Sequence, residues 1–214
     1  MRITILYDNE ALVGFRKDWG FSCLVGENVL FDTGANYDIL LSNMQKLNIS
    51  MREIDTIVLS HVHGDHTGGI EIVGDLESVR VFVPTSFFST IQRRLSKFDN
   101  ATMVEVSRPV RVAEKIMSTG EIAEMEQSLL VQTQRGAVII TGCSHPGLDT
   151  IMGLAEQYGE IYGVIGGFHG FNKLEHFEGL ELIAPCHCTK KKQQIHSIFP
   201  KVSKYCAAGS IFEI

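Results

Sequence analysis

His61-Val62-His63-Gly64-Asp65-His66 places three imidazoles and a carboxylate within six consecutive residues. Ile57-Val58-Leu59-Ser60 precedes it and reads as a short buried strand. The ligand-type residues therefore stand where a strand ends and a loop begins. His61 and His63 are two apart, so an extended backbone points both the same way. Gly64 permits a sharp turn, after which Asp65 and His66 can face back toward the same volume. One strand end can thus supply two metal positions about 3.5–4 Å apart, the spacing of two-metal hydrolytic centres.

The segment matches H-x-H-x-D-H, and in this it resembles the metallo-β-lactamase superfamily. Other stretches extend the resemblance over nearly the whole chain. Val29-Leu30-Phe31-Asp32-Thr33-Gly34 is similar to that superfamily's early strand ending in an Asp, and Thr67-Gly68-Gly69 follows the ligand loop. Thr141-Gly142-Cys143-Ser144-His145, Gly166-Gly167-Phe168-His169 and Pro185-Cys186-His187-Cys188 resemble a narrower branch. That branch is the set of proteins similar to 7,8-dihydropterin-6-methyl-4-(β-D-ribofuranosyl)-aminobenzene-5′-phosphate synthase. The resemblance implies an α+β fold, a four-layer αββα sandwich of two sheets packed face to face with helices outside. The hydrophobic periodicity alone supports only mixed α and β.

A chain of 214 residues can bury a large core. We read residues 1–214 as one metallo-β-lactamase-like domain. The hydrophobic share of 44% and charged share of 21% belong to a globular protein. No apolar run approaches the roughly 18 residues needed to cross a bilayer. Met1 to Asp8 is too short and polar for a signal peptide and reads as a first strand, so a cytoplasmic location is expected. A net charge of −6 argues against a nucleic-acid partner. Five cysteines form an odd set with no regular framework, which disfavours a disulfide scaffold; Cys23 reads as a buried apolar residue.

Phe21–Val25 and Asn28–Asp32 flank Gly26-Glu27 and predict a hairpin. Ile39, Leu40, Met44 and Leu47 predict a helix over Tyr37 to Leu47. Val79–Val83 reads as a strand stopped by Pro84, with Thr85 or Ser86 capping a helix through about Leu95. Strands follow near Met103–Val106, Leu129–Thr133 and Ala137–Thr141. Pro146 is placed at the first position of a helix through Tyr158. Ile161–Ile165 and Leu182–Ala184 read as strands, and Thr189–Phe199 as a last helix.

No histidine lies between His66 and His145. Many members of the superfamily carry one there, and a bridging Asp where this chain has Cys143 in Thr141-Gly142-Cys143. The resemblance thus implies that His145 stands in for the missing imidazole, or that Cys143 occupies the bridging position. Cys143 as a neutral buried thiol and His145 as a substrate-contacting residue remain open. One position is then Asp65, His66 and His187, the other His61, His63 and either Cys143 or His145. His187 lies between two cysteines after an apolar strand, so an extended backbone turns both sulfurs away from its imidazole. Asp32 is read as the carboxylate that fixes a ligand imidazole's tautomer. A thiolate would favour zinc, one or two ions, with manganese or iron as alternatives.

Asp65 is also assigned to orienting the attacking water. His169, in a glycine-rich loop, is assigned to the substrate pocket or proton transfer. Lys190-Lys191-Lys192 open the last helix, and Thr189 is expected to cap it. Three cations at a positive helix end suggest an anion there, so Thr189 and Lys190 are assigned to a substrate phosphate. The expected activity is a hydrolase with a metal-activated water acting on a small molecule. The alternatives are a dihydropterin-type synthase, which the branch resemblance implies, and a non-enzymatic metal-binding module.

Overall fold

The computed structural model describes residues 1–214. The first half runs β1 (Arg2–Tyr7), β2 (Ser22–Val25), β3 (Val29–Phe31), α1 (Tyr37–Lys46), β4 (Thr56–Val58), α2 (Gly64–Thr67), β5 (Val79–Pro84), α3 (Phe88–Leu95) and β6 (Ala101–Val106). The second half runs β7 (Val110–Ala113), β8 (Ile116–Ser118), β9 (Leu129–Thr133), β10 (Gly136–Thr141), α4 (Leu148–Ala155), β11 (Ile161–Gly167), β12 (Leu182–Cys186), α5 (Lys192–Ile198) and β13 (Ile211–Glu213). One sheet has the order β13-β1-β2-β3-β4-β5-β6, the other β12-β11-β10-β9-β8-β7.

Alternation along the strands explains the layering. In β3, Val29 and Phe31 face the second sheet while Leu30 faces α1. In β10, Val138 and Ile140 face the first sheet while Ile139 packs on α4. Strands covered on both faces read as continuous apolar runs, which is why Ile57-Val58-Leu59 carries no alternation. Three apolar layers result. Ile3, Phe31, Val58, Val138 and Ile165 lie between the sheets. Leu40, Met44 and Ile91 cover the first sheet from α1 and α3. Leu148, Ile151 and Ile195 cover the second from α4 and α5. This is the four-layer αββα sandwich. No helix is long and apolar enough to cross a membrane.

β3, β4, β5 and β6 are mutually parallel, as are β10, β11 and β12. Their carboxyl ends are where an open α/β sheet presents loops to a ligand. The hairpin at Gly26-Glu27 forms as expected, with Gly26 at φ 66.

Several boundaries differ from the sequence reading. Thr85 and Ser86 cap nothing; they open a 3-10 turn, and α3 begins at Phe88 with no side-chain cap. Pro146 lies outside α4, which starts at Leu148 behind Gly147. The last helix starts at Lys192, not Thr189. Strands β7, β8 and β13 span only three or four residues each, too few to stand out from periodicity.

Cys186 does not pack as a free thiol. It is joined to Cys206 by a disulfide across a separation of 20 residues. Cys23 is buried and unpaired, as expected. Closing a loop of this length is worth about 3 kcal/mol. Cys186→Ser is therefore expected to lower the unfolding free energy of the oxidised protein by about that amount. Denaturant titration checks this; an unchanged midpoint would mean that the crosslink does not form.

Candidate metal centre

The carboxyl ends of β3, β4, β10, β11 and β12 converge, joined by the residues after β1. His61, His66, Cys143 and His187 are buried together. Four overlapping donor sets each lie within 4.8 Å: His61, His63 and His145; Asp65, His66 and His187; His61, His66 and Cys143; and Cys143, His187 and Cys188. The structure thus brings His61, His63, Asp65, His66, Cys143, His145 and His187 into one cluster. Cys143 stands between the two triads, its Sγ 3.3 Å from His66 Nε2.

Hydrogen bonding assigns the tautomers. Asp32, fully buried at φ 55, accepts from the Ser60 amide and hydroxyl, each at 2.7 Å. It also faces His66 Nδ1 at 2.7 Å. Ser60 donates its one proton to Asp32, so it can only accept from His61 Nδ1, 2.8 Å away. Asn9 donates its amide to the His187 carbonyl and accepts from Gly20 N. Its carbonyl therefore faces His187 Nδ1 at 3.0 Å, which must carry a proton. Glu126 likewise holds a proton on His145 Nδ1 at 3.0 Å.

With Nδ1 protonated, each neutral ring presents a bare Nε2. His66 Nε2 and His187 Nε2 stand 3.2 Å apart, and Asp65 Oδ2 is 3.3 Å from the latter. Three acceptors converge with no proton between them. A cation resolves that repulsion, so the donor set fits a bound divalent metal.

Burial dominates the titration. It holds His61 and His66 down to about 3 and raises Asp32 to about 7. Burial opposes ionisation of Asp65, while positive charge at the His187 and His66 edge favours it and lowers its pKa. Glu126 is lowered to about 2 because His145 and neighbouring amides overcome its burial. A cation on the far side of His66 favours the ionised Asp32, so binding releases protons.

The cation-free protein is destabilised by acid. Between pH about 6.5 and 3, the unfolded chain protonates His61 and His66 while the native chain does not. Asp32 opposes, since its raised pKa releases one proton on unfolding over roughly pH 4 to 7. Net uptake remains, so stability is lost as pH falls below about 6.5. Thermal melts of chelated protein at pH 6.5 and pH 5 check this; an equal or higher Tm at pH 5 contradicts it.

The structure also reveals residues that sequence reasoning passed over. Glu126 is fully buried and accepts from the amides of Cys143, Ser144 and His145 at 2.8–3.1 Å. A lone carboxylate in a loop carries no pattern that announces this. Asp8 accepts from His187 N at 2.7 Å. The Asp8-Asn9 pair at the end of an apolar strand parallels Asp32 and was a usable signal. Gly142 lets the two ligand loops touch; a Cβ there would lie 2.2 Å from Ser60 Oγ.

Three expectations change. Cys188 does not turn away from His187: at φ 44 the His187 backbone is not extended, and Cys188 joins the cluster. A hydrogen bond with Cys143 holds the Cys188 thiol down to about 7. Thr189 does not cap a helix; it accepts from Phe168 N and donates to Cys186 O. The phosphate reading thereby loses both its hydroxyl and its helix end. Lys190 stays exposed, its amide bonded to the His169 carbonyl. His169 is exposed at φ 45, its ring 5.5 Å from that of His145. Asp32, Ser144, His169 and His187 all hold left-handed backbone, a strain that tends to gather at functional sites.

An open cavity of about 370 Å³ adjoins His61, His63 and His145, walled by Val62, Phe87 and Met125. Exposed Trp19 sits over the other side, 5.0 Å from the His187 ring.

A family model described as the anti-Pycsar protein Apyc1 matches residues 21–85, the stretch from the first hairpin through β5. The chain is 29% identical over 196 residues to the 7,8-dihydropterin-6-methyl-4-(β-D-ribofuranosyl)-aminobenzene-5′-phosphate synthase of Methanocaldococcus jannaschii. That match covers 68% of this chain and 66% of the synthase, just short of two thirds of the relative's length. A second relative from the same organism, an uncharacterised protein, is 28% identical over 231 residues, covering 87% of this chain and 90% of its own. Among solved structures, a metal-dependent hydrolase of the β-lactamase superfamily aligns with a TM-score of 0.83 at 28% identity, over 100% of this chain and 99% of that one. Zn²⁺-bound PqqB from Methylobacterium extorquens aligns over 100% of both chains with a TM-score of 0.69 at 11% identity, a likeness of fold alone.

Proposed function

Since this chain has the metallo-β-lactamase fold and a sequence similar to the dihydropterin synthase branch, we propose that it is a metal-dependent hydrolase of small molecules. The observation that carries this is the convergence of bare Nε2 atoms from His66 and His187 on Asp65. In this reading His61, His63 and His145 hold one cation, Asp65, His66 and His187 hold a second, and Cys143 lies between them. Divalent zinc is the ion that this mixture of imidazole, carboxylate and thiol suits best. Bound there, it supplies Lewis acidity that polarises the attacked group and brings the pKa of water toward ~7.

The chain's own residues supply the rest. Asp32, Asn9 and Glu126 hold the Nδ1 protons, so no imidazole has to reorient when substrate arrives. Asp65 orients the attacking water. His169, its pKa lowered by partial desolvation against the cluster and by His145, stands at the rim to move a proton to or from the leaving group. Trp19, Val62 and Met125 hold an apolar part of the substrate and limit water. Lys190, beside His169, is assigned to an anionic group such as a phosphate.

A transferase reading has one specific support, the 29% identity to the synthase. Incubation with phosphoesters and lactones, and separately with a dihydropterin diphosphate plus a ribofuranosyl aminobenzene phosphate, distinguishes the two. Hydrolysis of a simple ester without the second substrate supports the hydrolase. Diphosphate release only when both synthase substrates are present replaces it with the transferase. Bound metal with no turnover on any of them replaces both with a binding module.

His169→Ala is expected to lower kcat by about 100-fold or more, the contribution of a positioned acid–base group. Metal content should be unchanged. An equal loss of metal would make His169 structural.

A further inference from the structure

Cys143 and Cys188 are both free, whereas the neighbouring Cys186 is locked to Cys206. The two free sulfurs and a ring nitrogen of His187 lie within 4.8 Å of one another. Cys188 reaches this place because His187 adopts φ 44, which turns the chain so that consecutive side chains share a side. Gly167 leaves the room: a Cβ there would stand 2.8 Å from the Cys188 sulfur. Cys143 Sγ is also 3.3 Å from His66 Nε2, so this corner shares His187 with the Asp65 triad and touches it again at His66. The only oxygen contact of Cys188 is a long one, 3.9 Å to the Cys143 carbonyl. Two thiols and an imidazole form a soft donor set.

We infer that Cys188, with Cys143 and His187, forms a sulfur-rich corner that binds a thiophilic divalent cation. This corner, more than the Asp65 carboxylate, gives the site a preference for zinc or cobalt over manganese or magnesium. The inference rests on the cation-binding reading of the site and adds a ligand and a selectivity to it. Each thiol that coordinates releases its proton to solvent, so binding is tighter at higher pH. Carboxylate and water suit manganese and magnesium, and those ions gain little from the sulfurs.

The test uses chelated full-length protein, reduced at Cys143 and Cys188, titrated with cobalt(II), zinc and manganese(II). Wild type is expected to show thiolate-to-cobalt charge-transfer absorption in the near ultraviolet. Cys188→Ser should weaken that band and lower zinc affinity about tenfold or more while leaving manganese affinity unchanged. Cys143→Ser/Cys188→Ser should abolish the band. Cobalt bound by wild type without a charge-transfer band overturns the inference and leaves the hydrolase reading standing. So does a Cys188→Ser variant with the wild-type band and the wild-type zinc-to-manganese ratio. Failure of wild type to bind any of the three ions overturns both. Should Cys188→Ser not fold, the wild-type spectrum and zinc protection of both thiols from alkylation decide the matter.

Discussion

His66→Ala is expected to reduce turnover by at least about 1000-fold, since a metal contributes several kcal/mol of transition-state stabilisation. His66 is the densest junction of the site. Its Nε2 faces His187, Asp65 and the Cys143 sulfur at 3.2, 3.7 and 3.3 Å. Removing it takes a donor from the Asp65 triad and from the Cys143 set at once. Its effect on stability should depend on metal. In cation-free protein the substitution relieves two facing lone pairs, while leaving Asp32 with one fewer donor, a cost of about 1–3 kcal/mol. With metal present, the stabilisation that binding adds to the native state is lost as well. The variant's Tm should therefore fall much further below wild type with zinc than with chelator. Equal falls under both conditions would mean that His66 serves packing alone.

Glu126→Gln should be the next most damaging change. One buried carboxylate accepts from three successive amides, from Thr141 Oγ1 and from His145 Nδ1. A glutamine whose oxygen takes the Cys143 and Ser144 amides turns its NH₂ toward His145, where it meets an N–H at the backbone. The substitution loses two charge-assisted bonds, about 3–6 kcal/mol together. It also reverses the His145 tautomer. An amide that donates to Nδ1 leaves the proton on Nε2, and the lone pair no longer faces His61 and His63. Affinity at that position should fall about 10–100-fold. Histidine NMR of the cation-free variant should report Nε2–H for His145; retention of Nδ1–H would contradict this arrangement.

What could be read from the sequence follows a physical line. The β4–α2 segment could be read because its ligands are close along the chain and follow an apolar strand. Asp32 could be read because a carboxylate at a strand end, behind a buried apolar run, has few ordinary reasons to be there. The layers could be foreseen only through resemblance, since doubly covered strands erase the alternation that assigns faces. Glu126 could not be read as a positioning group, because it lies in a loop without pattern and the amides it accepts from are 17 to 19 residues away; Asp8-Asn9 carried the same strand-end signal as Asp32. Thr189 and Cys188 were misplaced for one shared reason. Both readings assumed regular backbone after β12, an extended run for Cys188 and a helix for Thr189. His187 instead takes a left-handed conformation. Left-handed φ at a histidine is costly and is held by surroundings, here Asp8 and Asn9, that no local pattern announces.

On the proposed reading these imidazoles point lone pairs, not protons, at one another because a cation belongs between them. Elemental analysis of protein purified without chelator tests it most directly, backed by titration of the chelated form. We expect about two transition-metal ions per chain, zinc foremost, and their loss on chelation with recovery on re-addition. Protein that emerges free of transition metals, and that takes up neither zinc nor cobalt after chelation, would contradict it.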